Sequence, residues 1–249
     1  MAIPMNERLV IVPTYNEIEN IDRLVEMVLG LPIKVHLLIV DDNSPDGTGN
    51  RVKSLQDRHP RSLHLMERSG KLGLGTAYIK GFQWALENGY KFICEMDADF
   101  SHNPQDLPRL FGACENGTDV AIGSRYISGV NVVNWPMSRV LISYFASVYV
   151  RGITHMKVRD ATAGFVCYRR KVLEVISLDR IRFKGYAFQI EMKFKAWKYG
   201  FQIDELPIIF TDRKEGTSKM SGKIVSEAVF GVIGLKVGSW FKSYKRAET

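Results

Sequence analysis

Phe92-Ile93-Cys94-Glu95-Met96-Asp97-Ala98-Asp99 starts as a largely apolar run and ends in two carboxylates one residue apart. Such a run reads as a buried strand, Phe92 to Met96, with the acids emerging at its carboxyl end. The same plan recurs on the N-terminal side. Val35 to Val40 is a continuous apolar strand ending in Asp41-Asp42, and Asn43-Ser44-Pro45-Asp46-Gly47 turns the chain toward a helix. Leu9-Val10-Ile11-Val12 stops at Pro13, and Ile21, Leu24, Val25 and Val28 follow at helical spacing, with Asn16 and Glu19 expected as the capping pair. A strand near Leu63 leads through Gly70, Gly73 and Gly75, read as turn glycines, into a helix carrying Ile79, Phe82 and Ala85. Toward the C-terminus a fifth strand is expected at Asp119 to Gly123. A looser segment, Ser128 to Lys157, precedes Gly164 to Tyr168, a helix around Gln189 to Trp197 and a late strand near Ile203 to Phe210. Apolar strands alternating with helices predict an α/β fold, a mostly parallel Rossmann-like sheet with helices on both faces. Ligands of such sheets bind at the strands' carboxyl ends.

The chain has 249 residues, of which 45% are hydrophobic and 24% charged, enough apolar material for one globular core. Residues 1–223 are read as the catalytic domain and 224–249 as a C-terminal apolar helix with a basic tail. A formal charge of +7 predicts attraction to anions such as nucleotides, phosphorylated substrates or acidic membrane faces. No RNA- or DNA-binding motif supports a nucleic-acid partner. Cys94, Cys114 and Cys167 lack CxxC spacing and read as reduced core thiols. Asn6, Glu7 and Arg8 interrupt the apolar residues at the start, so a cytoplasmic location is expected. The run from Ile224 to Phe241 contains Glu227, Lys236 and three glycines and falls short of a spanning helix.

Asp97 and Asp99, one residue apart in a loop, suit a hard divalent cation. Asp42, at the equivalent end of an earlier strand, is placed to accept hydrogen bonds from a ribose or a base edge, which leaves Asp41 for the turn. Arg125, Arg139, Arg213 and Lys219 are candidate phosphate ligands if the fold gathers them. Arg139 and Ser143 stand four apart in a segment that reads helical after Pro136, so they share a face. Neither a P-loop nor GxGxxG, HExxH or GxSxG occurs.

Pro13-Thr14-Tyr15-Asn16-Glu17, Val40 to Thr48, Lys71 to Ala77, Asp97-Ala98-Asp99-Phe100-Ser101-His102 and Gly123-Ser124-Arg125-Tyr126 form an ordered series. Asp160 to Phe165, Gly185 to Met192, Asp212-Arg213 and Ser218-Lys219 extend it over almost the whole chain. In this series the chain resembles the dolichyl-phosphate mannose synthases, a branch of the inverting glycosyltransferase family two with the GT-A fold.

The resemblance implies that Pro13, Tyr15, Glu17, Val40 and Asp42 hold the donor nucleoside. Asp97, Ala98 and Asp99 would meet the donor diphosphate, the two acids through Mg2+ or Mn2+, and Arg213 and Lys219 would contact it from a closing loop. Arg125, Arg139 and Ser143 match positions that grip the acceptor phosphate. Ser101 stands where some relatives carry a glutamine near the metal. The implied reaction moves mannose from GDP-mannose to a polyprenyl phosphate, with UDP-sugar transfer and nucleotidyl transfer as alternatives. Asp99 and Arg125 are the expected catalytic residues, and loss of Arg125 is expected to harm rate more than fold. Apolar segments flanked by Arg139, Arg151, Lys242, Lys245 and Arg246 predict peripheral attachment at the cytoplasmic face of a membrane, directly or through a membrane-protein partner.

Overall fold

The computed structural model describes residues 7–185, 187–211 and 222–244. In chain order the first half comprises β1 (Arg8–Thr14), α1 (Ile21–Leu29), β2 (His36–Asp41), α2 (Thr48–Gln56), β3 (Leu63–Glu67), α3 (Leu74–Glu87), β4 (Phe92–Glu95), α4 (Leu107–Glu115) and β5 (Val120–Ser124). The second half comprises β6 (Val132–Val133), α5 (Met137–Thr154), β7 (Val166–Arg169), α6 (Arg170–Val175), α7 (Ala187–Lys198), β8 (Ile203–Pro207), β9 (Phe210–Thr211) and α8 (Gly222–Trp240). Seven strands form one sheet in the order β3-β2-β1-β4-β7-β5-β8, and β6 pairs with β9 in a small second sheet. Within the large sheet only β7 runs antiparallel, between β4 and β5.

The apolar strands arise because both faces of the sheet are covered. Along β1, Leu9 and Ile11 enter one core with Phe82, Tyr168 and Phe188, while Val10 and Val12 enter the other with Leu24, Ile39 and Phe111. Each such side chain contributes about 1.5–3 kcal/mol by leaving water. The pairings Thr14 to Asp41 and Ile11 to Glu95 bring the carboxyl ends of β2, β1 and β4 to one edge. Because β7 runs the other way, the loop that precedes it returns to that same edge.

Two local expectations are corrected. Asn16 and Glu19 do not cap α1: Asn16 adopts a left-handed φ of 61° with its N–H on Ser44 Oγ, and the helix starts only after Asn20. The late strand is two strands, since the chain leaves β8 after Pro207 and rejoins a sheet at Phe210, beside β6. The C-terminal helix α8 packs on α5 and α7, burying Val232 and Leu235. Gly231 of α8 abuts the segment before α7, where an added Cβ would lie 2.6 Å from the Phe183 ring.

Gly81 sets the distance between α3 and β1: an added Cβ would meet Ile11 Cγ2 at 2.7 Å. Helix propensity alone favours alanine there by about 1 kcal/mol, whereas overpacking a rigid core costs about 1–3 kcal/mol. Gly81→Ala is therefore expected to lower the urea midpoint; an unchanged or raised midpoint would show that α3 stands off β1.

Candidate active site

At the edge shared by β1 and β2, Asp41 is consumed locally. Its carboxylate accepts from Thr14 Oγ1 at 2.8 Å, Ser44 N at 2.9 Å and Ser44 Oγ at 2.6 Å. Asp42 instead meets a guanidinium: Arg68, just beyond β3, donates from Nε at 2.6 Å and Nη2 at 2.8 Å, and from Nη1 to Thr76 Oγ1 at 2.8 Å. Both partners are buried, so the charge-assisted pair is strong and fixes Asp42 against α3. Neighbouring loops are sewn together by Glu17 N donating to Thr48 Oγ1 and Ile18 N donating to Asp46 Oδ2, both at 3.0 Å. Lys71 Nζ stands 4.6 Å from the centre of the Tyr15 ring.

Beyond β4 the chain turns through Phe100, whose φ is 58°. Ser101 donates from both its N–H and its hydroxyl to Asp99 Oδ1, so it orients that carboxylate. Buried His102 accepts the Asp97 N–H on Nδ1 at 3.2 Å and stacks on Phe165, ring centres 4.9 Å apart. Burial pushes the imidazole down to about 4, outweighing the upward pull of Asp99, so the ring is neutral near pH 7 as an acceptor at Nδ1 requires. Gly164 lies beside this loop, its Cβ position 3.7 Å from His102 Cε1 and 3.9 Å from Asp97 Oδ2.

Arg125, directly after β5, is almost wholly buried. Its Nε and Nη2 donate to Asp160 at 2.7 and 2.6 Å, its backbone N–H donates to the same carboxylate at 2.9 Å, and Nη2 also reaches Thr162 Oγ1 at 2.8 Å. Rings of Tyr126, Trp135 and Phe210 surround the guanidinium, with centres 5.2–5.6 Å from Cζ. Arg139 lies over the same Trp135 ring at 4.2 Å. Ser143, one turn on, accepts from Tyr126 Oη at 2.8 Å. Arg125 is thereby tied to Arg139 and Ser143 of α5 through Trp135 and Tyr126. Arg125 also has a structural part, because its loss would strand a fully buried Asp160.

A sequence profile described as Glycosyl transferase family 2 matches residues 9–177. The polyprenol monophosphomannose synthase of Mycolicibacterium smegmatis is 47% identical over 237 residues, covering 95% of this chain and 88% of that one. The chain belongs to glycosyl transferase family 2. Undecaprenyl-phosphate mannosyltransferase of Micrococcus luteus is 46% identical over 224 residues, 90% of this chain and 91% of its own. Among solved structures, glucosyl-3-phosphoglycerate synthase from Mycobacterium tuberculosis, in complex with Mn2+, UDP and glucosyl-3-phosphoglycerate, has a TM-score of 0.65. At 15% identity, over 94% of this chain and 80% of that chain, the likeness is one of fold. This glycosyltransferase therefore has the GT-A architecture.

The strand ends of the family 2 enzyme collect Pro13, Tyr15, Glu17, Asp42, Asp97 and Asp99 at one edge, with Arg125, Arg139 and Ser143 clustered after β5. The side chains of Val40 and Ala98 are buried in the core beneath that edge, which leaves their main chain to face it. Arg213 and Lys219 lie outside the described residues. Sequence reasoning missed Arg68, His102, Asp160 and Trp135 as site residues. Arg68 was findable as the first polar residue past a strand next to β2; the others depend on contacts far apart in the chain.

Asp160 supplies a test. Burial alone would raise its carboxyl, but the charge and hydrogen bonds of Arg125 outweigh burial and hold it below the ordinary value. Stability from the pair is then complete above about pH 4 and lost as pH falls through the depressed folded value. Asp160→Asn is expected to cost about 3–5 kcal/mol at pH 7 by urea unfolding and to flatten the acid limb. Unchanged stability with an unchanged acid limb would refute the pairing.

Proposed function

We propose that this glycosyltransferase transfers mannose from GDP-mannose to a polyprenyl phosphate with inversion, aided by Mg2+ or Mn2+, at the cytoplasmic face of a membrane. The observation that carries the reading is the grouping of Arg125, Arg139 and Ser143 around Trp135 and Tyr126 at the start of α5, whose outer face is apolar. Met137, Leu141, Ile142 and Phe145 are exposed along that helix, and Phe230, Ile233, Trp240 and Phe241 along and after α8. An anion site opening beside an apolar face matches an acceptor with a phosphate head and a hydrocarbon tail. The names of the two relatives, both acting with polyprenyl-type phosphates and mannose, support it.

Asp97 and Asp99 fit a divalent cation as two hard oxygen donors, Asp99 oriented by Ser101 and Asp97 by the His102 contact to its backbone. Among the described residues no group of three or more His, Cys, Asp or Glu could hold a metal ion, so oxygens of the donor diphosphate would complete the shell. When bound, the cation neutralises charge on the departing diphosphate. Asp42, held by Arg68, presents its carboxylate to the nucleoside. Arg125 and Arg139 receive the acceptor phosphate and offset its repulsion from the donor. With a second pKa of about 6, that phosphate is already ionised and needs no strong general base. Its oxygen bonds to the anomeric carbon as the bond to the diphosphate breaks, the electron pair leaving with GDP.

Among the described residues no helix is long and apolar enough to cross a membrane. The exposed faces of α5 and α8 instead suit shallow insertion, with Arg151 and Lys242 for anionic headgroups. These faces support peripheral docking, alone or with a membrane-protein partner.

Asp99→Ala should cut transfer by on the order of a hundredfold or more, with circular dichroism unchanged, and EDTA should do the same to the parent enzyme. Near-normal transfer in either case would remove the cation from the account. Product masses from a panel of nucleotide sugars with farnesyl phosphate test the donor, and exclusive use of a UDP-sugar would overturn GDP-mannose. In flotation with anionic vesicles, Leu141→Ser/Phe145→Ser should stay behind while the parent floats; equal recovery would dismiss α5 as the docking face.

A further inference from the structure

Trp135 sits where the two arginines meet. It follows β6, which is held by β9, and precedes Pro136, the residue that opens α5. Asn134, with a left-handed φ of 64°, makes the turn between strand and ring. Arg139 Cζ lies 4.2 Å from the centre of the indole ring, Arg125 Cζ lies 5.6 Å from it, and Phe210 meets it edge-on at 5.3 Å. The ring thus links Arg139 to the Asp160-paired Arg125 through cation–π contacts.

The second observation is polar. Trp135 Nε1 is buried and has no hydrogen-bond partner among the described residues. An indole nitrogen can only donate, and buried tryptophans ordinarily find an acceptor. Arginine and aromatic neighbours supply none, since a guanidinium is itself a donor only. Among the described residues nothing supplies the acceptor, and an oxygen of a bound molecule would.

We infer that Trp135 is a further acceptor-site residue, whose indole N–H donates to an oxygen of the acceptor's phosphate monoester while its ring aligns Arg125 and Arg139 for the same group. This rests on the acceptor site described above. It adds a neutral donor that keeps its proton at any working pH, and it makes the ring's face and edge separable contributors.

Calorimetric titration of the full chain with farnesyl phosphate, in the presence of GDP and Mn2+, separates them. Trp135→Phe keeps an aromatic face and loses the donor, and should weaken farnesyl phosphate binding about tenfold. Trp135→Leu loses both and should bind severalfold more weakly again. Affinity for GDP with Mn2+ should stay within about twofold in the phenylalanine variant, a result that general damage to the fold would not give. Parental affinity in Trp135→Phe overturns the hydrogen bond, and parental affinity in both variants overturns the whole inference. Arg139→Gln distinguishes the levels. If it weakens farnesyl phosphate binding while the Trp135 variants do not, this inference alone fails; if it also leaves binding unchanged, the acceptor site itself is misplaced.

Discussion

A buried guanidinium locked to a buried carboxylate organises the working edge of this glycosyltransferase. Arg125 leaves the end of β5, and Asp160 lies in the loop that feeds antiparallel β7; neither tolerates burial without the other. Their pairing pulls residues 160–164 across the sheet edge, which brings Gly164 against Asp97 and His102. The same guanidinium anchors Tyr126, Trp135 and Phe210, so the small β6–β9 sheet and the start of α5 are set by it as well. A reversed strand inside a parallel sheet thereby serves chemistry: it returns chain to the edge where the parallel strands end.

Charge is distributed there in two opposed groups. Asp42, Asp97 and Asp99 occupy the ends of β2 and β4, and Arg125 with Arg139 occupies the far side. Each is restrained by neighbours before any ligand arrives: Asp42 by Arg68, Asp99 by Ser101, Arg125 by Asp160 and Thr162. Restraint of this kind lowers reorganisation when charge moves between donor and acceptor. Buried Glu95 and Lys193 lie below. Burial pushes Glu95 up and Lys193 down, while each draws the other toward its charged form; Gln189 bonds both.

The fold was legible because its strands are apolar on both faces, a pattern seen in Val35 to Val40 and Leu9 to Val12. Asp97, Asp99 and Asp42 were legible for a related reason: polar residues that end apolar strands have one place to go. Asn16 and Glu19 misled because a capping pattern is local, whereas Ser44, from the next loop, decides the conformation of Asn16. Asp160 escaped notice since an acid in a loop looks solvated until the fold buries it under Arg125.

The central claim is that acceptor phosphate and divalent cation share one cleft, bounded by Asp97 and Asp99 on one side and by Arg125 and Arg139 on the other. Relaxation of the 31P signal of enzyme-bound farnesyl phosphate by Mn2+ measures that proximity directly. The account predicts strong enhancement that requires GDP and disappears when Mg2+ replaces Mn2+. Bound farnesyl phosphate whose 31P relaxation is indifferent to Mn2+ would contradict it.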